Sequence, residues 1–229
     1  MQRKRVIILL LSGAFGAVIG AVATGFRGHS AKIAVFKLDD GLLARWWFLA
    51  AALLGLVVFS AYWEVAAKGA AAAKSSESRV SRALHVTLTN AAVLMEIAPV
   101  RGLGRFVPVS VAILSAGLAV EWVGVFFAIW ARRHLGRNWS GEISIKVDHE
   151  LIRTGPYRWL RHPIYTGILT MYLGVVLVTG EWLAIAGFAM VLFAYWRKIR
   201  LEEANLTVAF GAHYDAYRRN SWAVVPWVF

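Results

Sequence analysis

Long apolar runs separated by charged segments constrain this chain more than any other feature. A helix needs about 20 apolar residues to cross a hydrocarbon layer about 30 Å thick, and such runs occur at 6–25, 46–67, 84–100, 107–131 and 164–195. The last is too long for one ordinary span. Its "TGEW" at 179–182 predicts a turn at Gly180 and Glu181 that divides the run into two tightly connected helices. The expected fold is all-α: a polytopic membrane protein of about six transmembrane helices, including a tight C-terminal hairpin. At 59% hydrophobic and 17% charged, a chain of 229 residues is too apolar for a soluble domain.

The runs differ in quality. The first follows "MQRKR" and contains "AVA" at 21–23, as a cleaved leader would, but it exceeds a usual signal-peptide h-region and reads as a retained anchor. Gly16 and Gly20 within it have the GxxxG spacing that lets another helix approach closely. The run at 84–100 is the weakest, because His85, Thr87, Thr89, Asn90 and Glu96 interrupt it, and Glu121 lies within the next. Polar groups in a bilayer face other helices or a wet cavity. With the N-terminus inside, the basic segments 68–82 and 132–161 and the tail from Arg197 all fall on the cytosolic side, as the positive-inside rule requires. In that tail Leu201, Leu206, Phe210, Tyr214 and Tyr217 recur at helical spacing, with Gly211 interrupting, which predicts a pair of amphipathic cytosolic helices. No repeat or long linker divides the chain. We read one continuous domain, with about four transmembrane helices in 1–131 and a catalytic core in 132–229. The compact loops point to a multi-pass protein of a bacterial-type inner membrane.

A net charge of +12 raises the question of nucleic acid, but the basic residues cluster beside apolar runs, where lipid headgroups account for them, and no recognition motif accompanies them. No nucleic-acid partner is expected. The absence of cysteine removes disulfides, thiolate metal sites and cysteine nucleophiles, and no metal site is expected.

The polar residues able to do chemistry fall in two blocks, "DHELIRTGPYRWLRHPIYTG" at 148–167 and "RKIRLEEANLTVAFGAHYDAY" at 197–217. Gly155 and Pro156 favour a turn, and Pro163 suits the first position of a helix, which puts Arg161 and His162 at a helix N-terminus. Such a terminus offers N–H donors and a positive dipole end suited to a carboxylate.

The order "RHPxYxG", a short hairpin, then "EE…FG..Y..Y" resembles the isoprenylcysteine carboxyl methyltransferase and phospholipid methyltransferase families of integral membrane enzymes, over roughly residues 135–226. The resemblance implies S-adenosylmethionine as cofactor, held on the cytosolic face by His149, Glu150, Leu151 and Ile152 ("HELI"), Tyr157, the "HPIY" stretch His162, Pro163, Ile164 and Tyr165, Gly167 through close packing, and Glu202. Arg161 and Glu203 are the candidate catalytic residues. Lys198 stands where the eukaryotic carboxyl methyltransferases carry a substrate-binding arginine. Lysine lacks the bidentate fork, and Arg197 or Arg200 could take that role.

The activity implied is methyl transfer to a lipophilic acceptor entering from the bilayer, the carboxylate of an isoprenylcysteine-like or prenylated substrate. A phospholipid amine and a small thiol are alternative acceptors. An NADPH-dependent sterol-reductase-like protein, which would carry an "RHxNYxG"-like stretch, and a non-catalytic scaffold are the other classes.

Overall fold

The computed structural model describes residues 40–67, 77–98, 103–139 and 151–227. They form α1 (Asp40–Ala67), α2 (Arg79–Ile97), α3 (Val111–Leu135), 3-10 turns at Gly136–Asn138 and Gly155–Arg158, α4 (Pro163–Thr179), α5 (Trp182–Phe210) and α6 (Ala212–Arg219). Gly41–Phe229 is one compact unit, and Met1–Asp40 is another, whose apolar run at 6–25, with Gly16 and Gly20, lies outside the described residues. Among the described residues there is no strand, only isolated bridges at Arg105↔Glu181 and Leu160↔Trp222.

Among the described residues, three helices are long and apolar enough to cross a membrane: Arg45–Ala67, Val111–Leu135 and Trp182–Phe210; α4 is apolar but shorter. The described residues are those of an all-helical integral membrane protein. The hairpin turns where expected. Gly180 adopts φ 63 and ends α4 with its N–H donating to the Val176 carbonyl, a left-handed cap that glycine takes without steric cost.

Two expectations change. The run at 84–100 becomes α2, which starts earlier, at Arg79, behind a Ser78 side-chain cap and ends at Ile97; it is absent from the three helices apolar enough to span. Its polar residues explain this, for one face of α2 packs on α5 through polar contacts such as Arg197 with Ser81. Second, the tail after Arg197 is not a separate helix pair. α5 continues unbroken to Phe210, because "RKIRLEEANL" consists mostly of good helix formers with no proline or glycine. Only Gly211, at φ 51, ends it, and α6 follows. The 29 residues of α5 extend about 43 Å at 1.5 Å per residue, well beyond a hydrocarbon layer of about 30 Å.

α3 and α4 approach at backbone distance. A Cβ on Gly124 would stand 2.3 Å from the Met171 nitrogen, and one on Gly174 the same distance from the Glu121 nitrogen. Around this seam Val125, Ala128, Ile168, Met171 and Val191 are buried. Arg132, in the last turn of α3, lies 4.1 Å over the Trp139 ring and donates to the carbonyls of Ala66 and Gly136, tying α1 to α3. At the other end of the α3–α4 pair, Glu181 pairs with Arg45 at 2.7 Å and with Arg105 at 3.6 Å.

Candidate active site

The N-terminus of α4 and the middle of α5 bring the two sequence blocks together. Pro163 opens α4, and His162 precedes it as the N-cap residue. His162 Nδ1 lies 3.3 Å from Glu202 Oε2, and its Nε2 lies 3.4 Å from Glu203 Oε1. The Tyr165 hydroxyl donates to Glu202 Oε1 at 2.6 Å, while its ring stacks on His162 with centroids 5.5 Å apart. Lys198 Nζ sits 5.7 Å over the Tyr165 ring, one helical turn before Glu202. Tyr195 closes the aromatic group at 4.9 Å from Tyr165, and the His85 ring of α2 meets Tyr195 edge-on at 5.0 Å.

The two glutamates differ. The Glu203 side chain is 8% exposed and bound by Arg161 Nε at 2.7 Å, whereas the Glu202 side chain keeps 21% exposure. Arg161 is committed further: Nη1 donates to the carbonyls of Arg218 and Ser221. Burial acts to lower the His162 pKa, but the Glu202 and Glu203 carboxylates together outweigh it and hold the imidazole above its ordinary value.

A strap from the C-terminal tail completes the arrangement. The N–H groups of Arg161 and His162 donate to the carbonyls of Trp222 and Ala223, and the Trp222 N–H donates to the Trp159 carbonyl. The backbone donors expected to face a carboxylate ligand are therefore taken by the strap. The Tyr217 hydroxyl donates to the carbonyls of Tyr157 and Leu160, and Thr166 Oγ1 donates to Val224 O.

The remaining predicted residues scatter. Tyr157 is buried, with its ring stacked on His134 and its hydroxyl directed to the Ala131 carbonyl. Ile164 is buried, and Gly167 faces α3, where a Cβ would meet the Ala128 nitrogen at 2.6 Å. Leu151 and Ile152 are partly buried; His149 and Glu150 lie outside the described residues. Arg197 holds Ser81, and Arg200 is exposed on α5. Sequence reasoning passed over Tyr195, His85 and the strap. The only signal for the α2 contribution was the polarity that weakened the run at 84–100.

Fold and cluster together define a polytopic helical membrane protein with a buried carboxylate, imidazole and tyrosine site at the α4–α5 junction. Residues 117–208 match the model of the Isoprenylcysteine carboxyl methyltransferase (ICMT) family, which bears out the resemblance carried by "RHPIYTG" and the Glu202-Glu203 block. Similar proteins include a protein-S-isoprenylcysteine O-methyltransferase of Saccharomyces cerevisiae, 34% identical over 49% of this chain and 48% of its own length. One of Schizosaccharomyces pombe is 29% identical over 49% of each. The chain thus spans about half the length of the curated relatives it matches. A solved eukaryotic intramembrane Ras methyltransferase, ICMT, aligns at TM-score 0.46 and 21% identity, covering 66% of this chain and 54% of that one.

Proposed function

We propose that this protein is an S-adenosylmethionine-dependent methyltransferase acting on the carboxylate of an isoprenylcysteine-like lipophilic acceptor. The observation that carries the reading is the meeting of His162 and Tyr165 with Glu202, which joins the two motif blocks across α4 and α5. The names of the similar proteins supply the acceptor class.

The residues present fit the cofactor chemically. Two of the Glu202 carboxylate contacts are made within the protein, which leaves lone pairs and exposed surface for an ammonium or hydroxyl. The faces of Tyr165 and Tyr195 suit a sulfonium cation. When bound, S-adenosylmethionine supplies an electrophilic methyl group. The chain then has four tasks. Glu202, His162 and Tyr165 bind and orient; Tyr157 and the "HELI" stretch add the cofactor contacts that the family resemblance implies; Lys198 holds the acceptor carboxylate by charge; the surrounding helices exclude water. A carboxylate nucleophile needs no base, which suits a site whose imidazole is already engaged by two acids. Arg161, bonded to the Ser221 carbonyl of the strap, and Glu203, bonded to Arg161, position His162 and Glu202.

The same reading puts the site on the cytosolic face of a bacterial-type inner membrane, in a catalytic core 132–229 that forms one continuous domain with the helices of 1–131. Prenylated or small lipophilic acceptors and the bilayer are its partners. The test is incubation of the purified chain with methyl-labelled cofactor and a panel of prenylcysteines, lipids and thiols, with the mass of the labelled product as readout. A labelled prenylcysteine ester is expected. Labelled lipid amine or thioether would move the acceptor class, and NADPH binding without any response to the methyl donor would overturn the reading.

A further inference from the structure

The surface built on the strap has a composition that the site does not explain. Trp159 is 55% exposed and Trp227 is 86% exposed. They belong to one patch, because Trp222 bonds to Trp159 through its backbone and packs on the Trp227 ring at 5.3 Å. Val225 is exposed between them. Basic side chains rim the patch: Arg158 lies 5.9 Å from the Trp159 ring centroid, and Arg153, Arg218 and Arg219 are exposed nearby on the 3-10 approach and on α6. Among the described residues, the acids at this end are Glu203, which is buried against Arg161 and lies 3.9 Å from Arg218 Nε, and the half-buried Asp215. Large exposed tryptophans are unfavourable in water, but an indole is at home among headgroups, with its ring at the acyl boundary and its N–H in the wet layer. Guanidinium groups beside it are complementary to anionic phosphates. The patch adjoins the N-terminus of α4, the end of an apolar helix, and so stands at the depth where headgroups lie.

We propose that the Trp159, Val225 and Trp227 patch with its arginine rim docks on the anionic headgroup layer of the bilayer that holds the protein. The contact holds the strap whatever the methyl acceptor is. The chain has no cysteine, so Val225→Cys carries a single environment-sensitive fluorophore in nanodiscs of phosphatidylcholine alone or mixed with phosphatidylglycerol. A blue shift and stronger quenching by headgroup-attached spin probes are expected with the anionic lipid, lost at high salt and in Arg158→Gln/Arg219→Gln. Elution as a single folded species checks that the variants keep their fold, since both side chains are exposed. Emission and quenching that are equal in both lipids and indifferent to the arginines overturn the proposal. So does a response of the label to a soluble acidic peptide with none to lipid charge, which would make the patch a polypeptide surface.

Discussion

Glu202 and Glu203 are neighbours in sequence but point about 100° apart around α5, and that rotation separates their roles. Glu202 keeps exposure and accepts from Tyr165; Glu203 is closed in by Arg161. Glu202→Gln is expected to weaken binding of the demethylated cofactor by about 1–3 kcal/mol, the cost of an unmatched polar group in a partly buried place, with little change in thermal stability. Glu203→Ala has the opposite profile. It leaves Arg161 buried without its carboxylate, and loss of one partner of a buried pair costs about 3–5 kcal/mol of stability. Calorimetry and thermal unfolding on both variants separate the two, and an exchange of profiles would reverse the roles. His162 gives a pH dependence. Its folded pKa lies above the ordinary 6.5, so the stabilisation is complete below about pH 6.5 and is lost as pH rises through the folded value. Thermal unfolding in detergent is expected to fall over that window in the parent, and His162→Gln should flatten this part of the profile.

At the scale of elements, the α3–α4 seam carries the site, because α4 can present His162 to α5 only if its own position is set. Gly124 and Gly174 leave no room for a side chain, and the nearest atoms are backbone, which cannot swing aside. Close approach of this kind is how helices gain packing energy in lipid, where no hydrophobic force drives them together. Gly174→Val is expected to separate the helices and cost about 1–3 kcal/mol or more through overpacking, read as earlier thermal aggregation and loss of the folded peak on size exclusion. Ala186→Val, at an exposed position of α5, is the matched control and should behave like the parent.

For the whole molecule, the two isolated bridges mark opposite ends of the α3–α4 pair. Leu160↔Trp222 sits at the start of α4, and Arg105↔Glu181 lies beyond its end. In sealed vesicles Arg158→Cys and Arg219→Cys should therefore react with an impermeant thiol reagent from one side and Leu103→Cys from the other; all three positions are exposed, and the parent contains no cysteine. Labelling of Arg158→Cys and Arg219→Cys from different sides would break the proposed site apart.

Much of this was legible in the residue order. Apolar length announced membrane helices, glycine at 180 announced the hairpin, and proline at 163 announced the start of α4, because each rests on local backbone physics or on transfer of a contiguous segment. The pairing of "RHPIYTG" with "LEE" pointed to one site through the family resemblance that the two motifs carry together, since "KIRLEE" alone reads as a solvated helix face. Contacts between distant segments leave no such trace. Which glutamate would be closed in, and where the N–H groups of Arg161 and His162 would find acceptors, depended on Arg161 and on the strap carbonyls of Trp222 and Ala223. A charged run on a helix reads alike whether it faces water or another helix, and a tail carbonyl carries no side-chain signature; only packing distinguishes them.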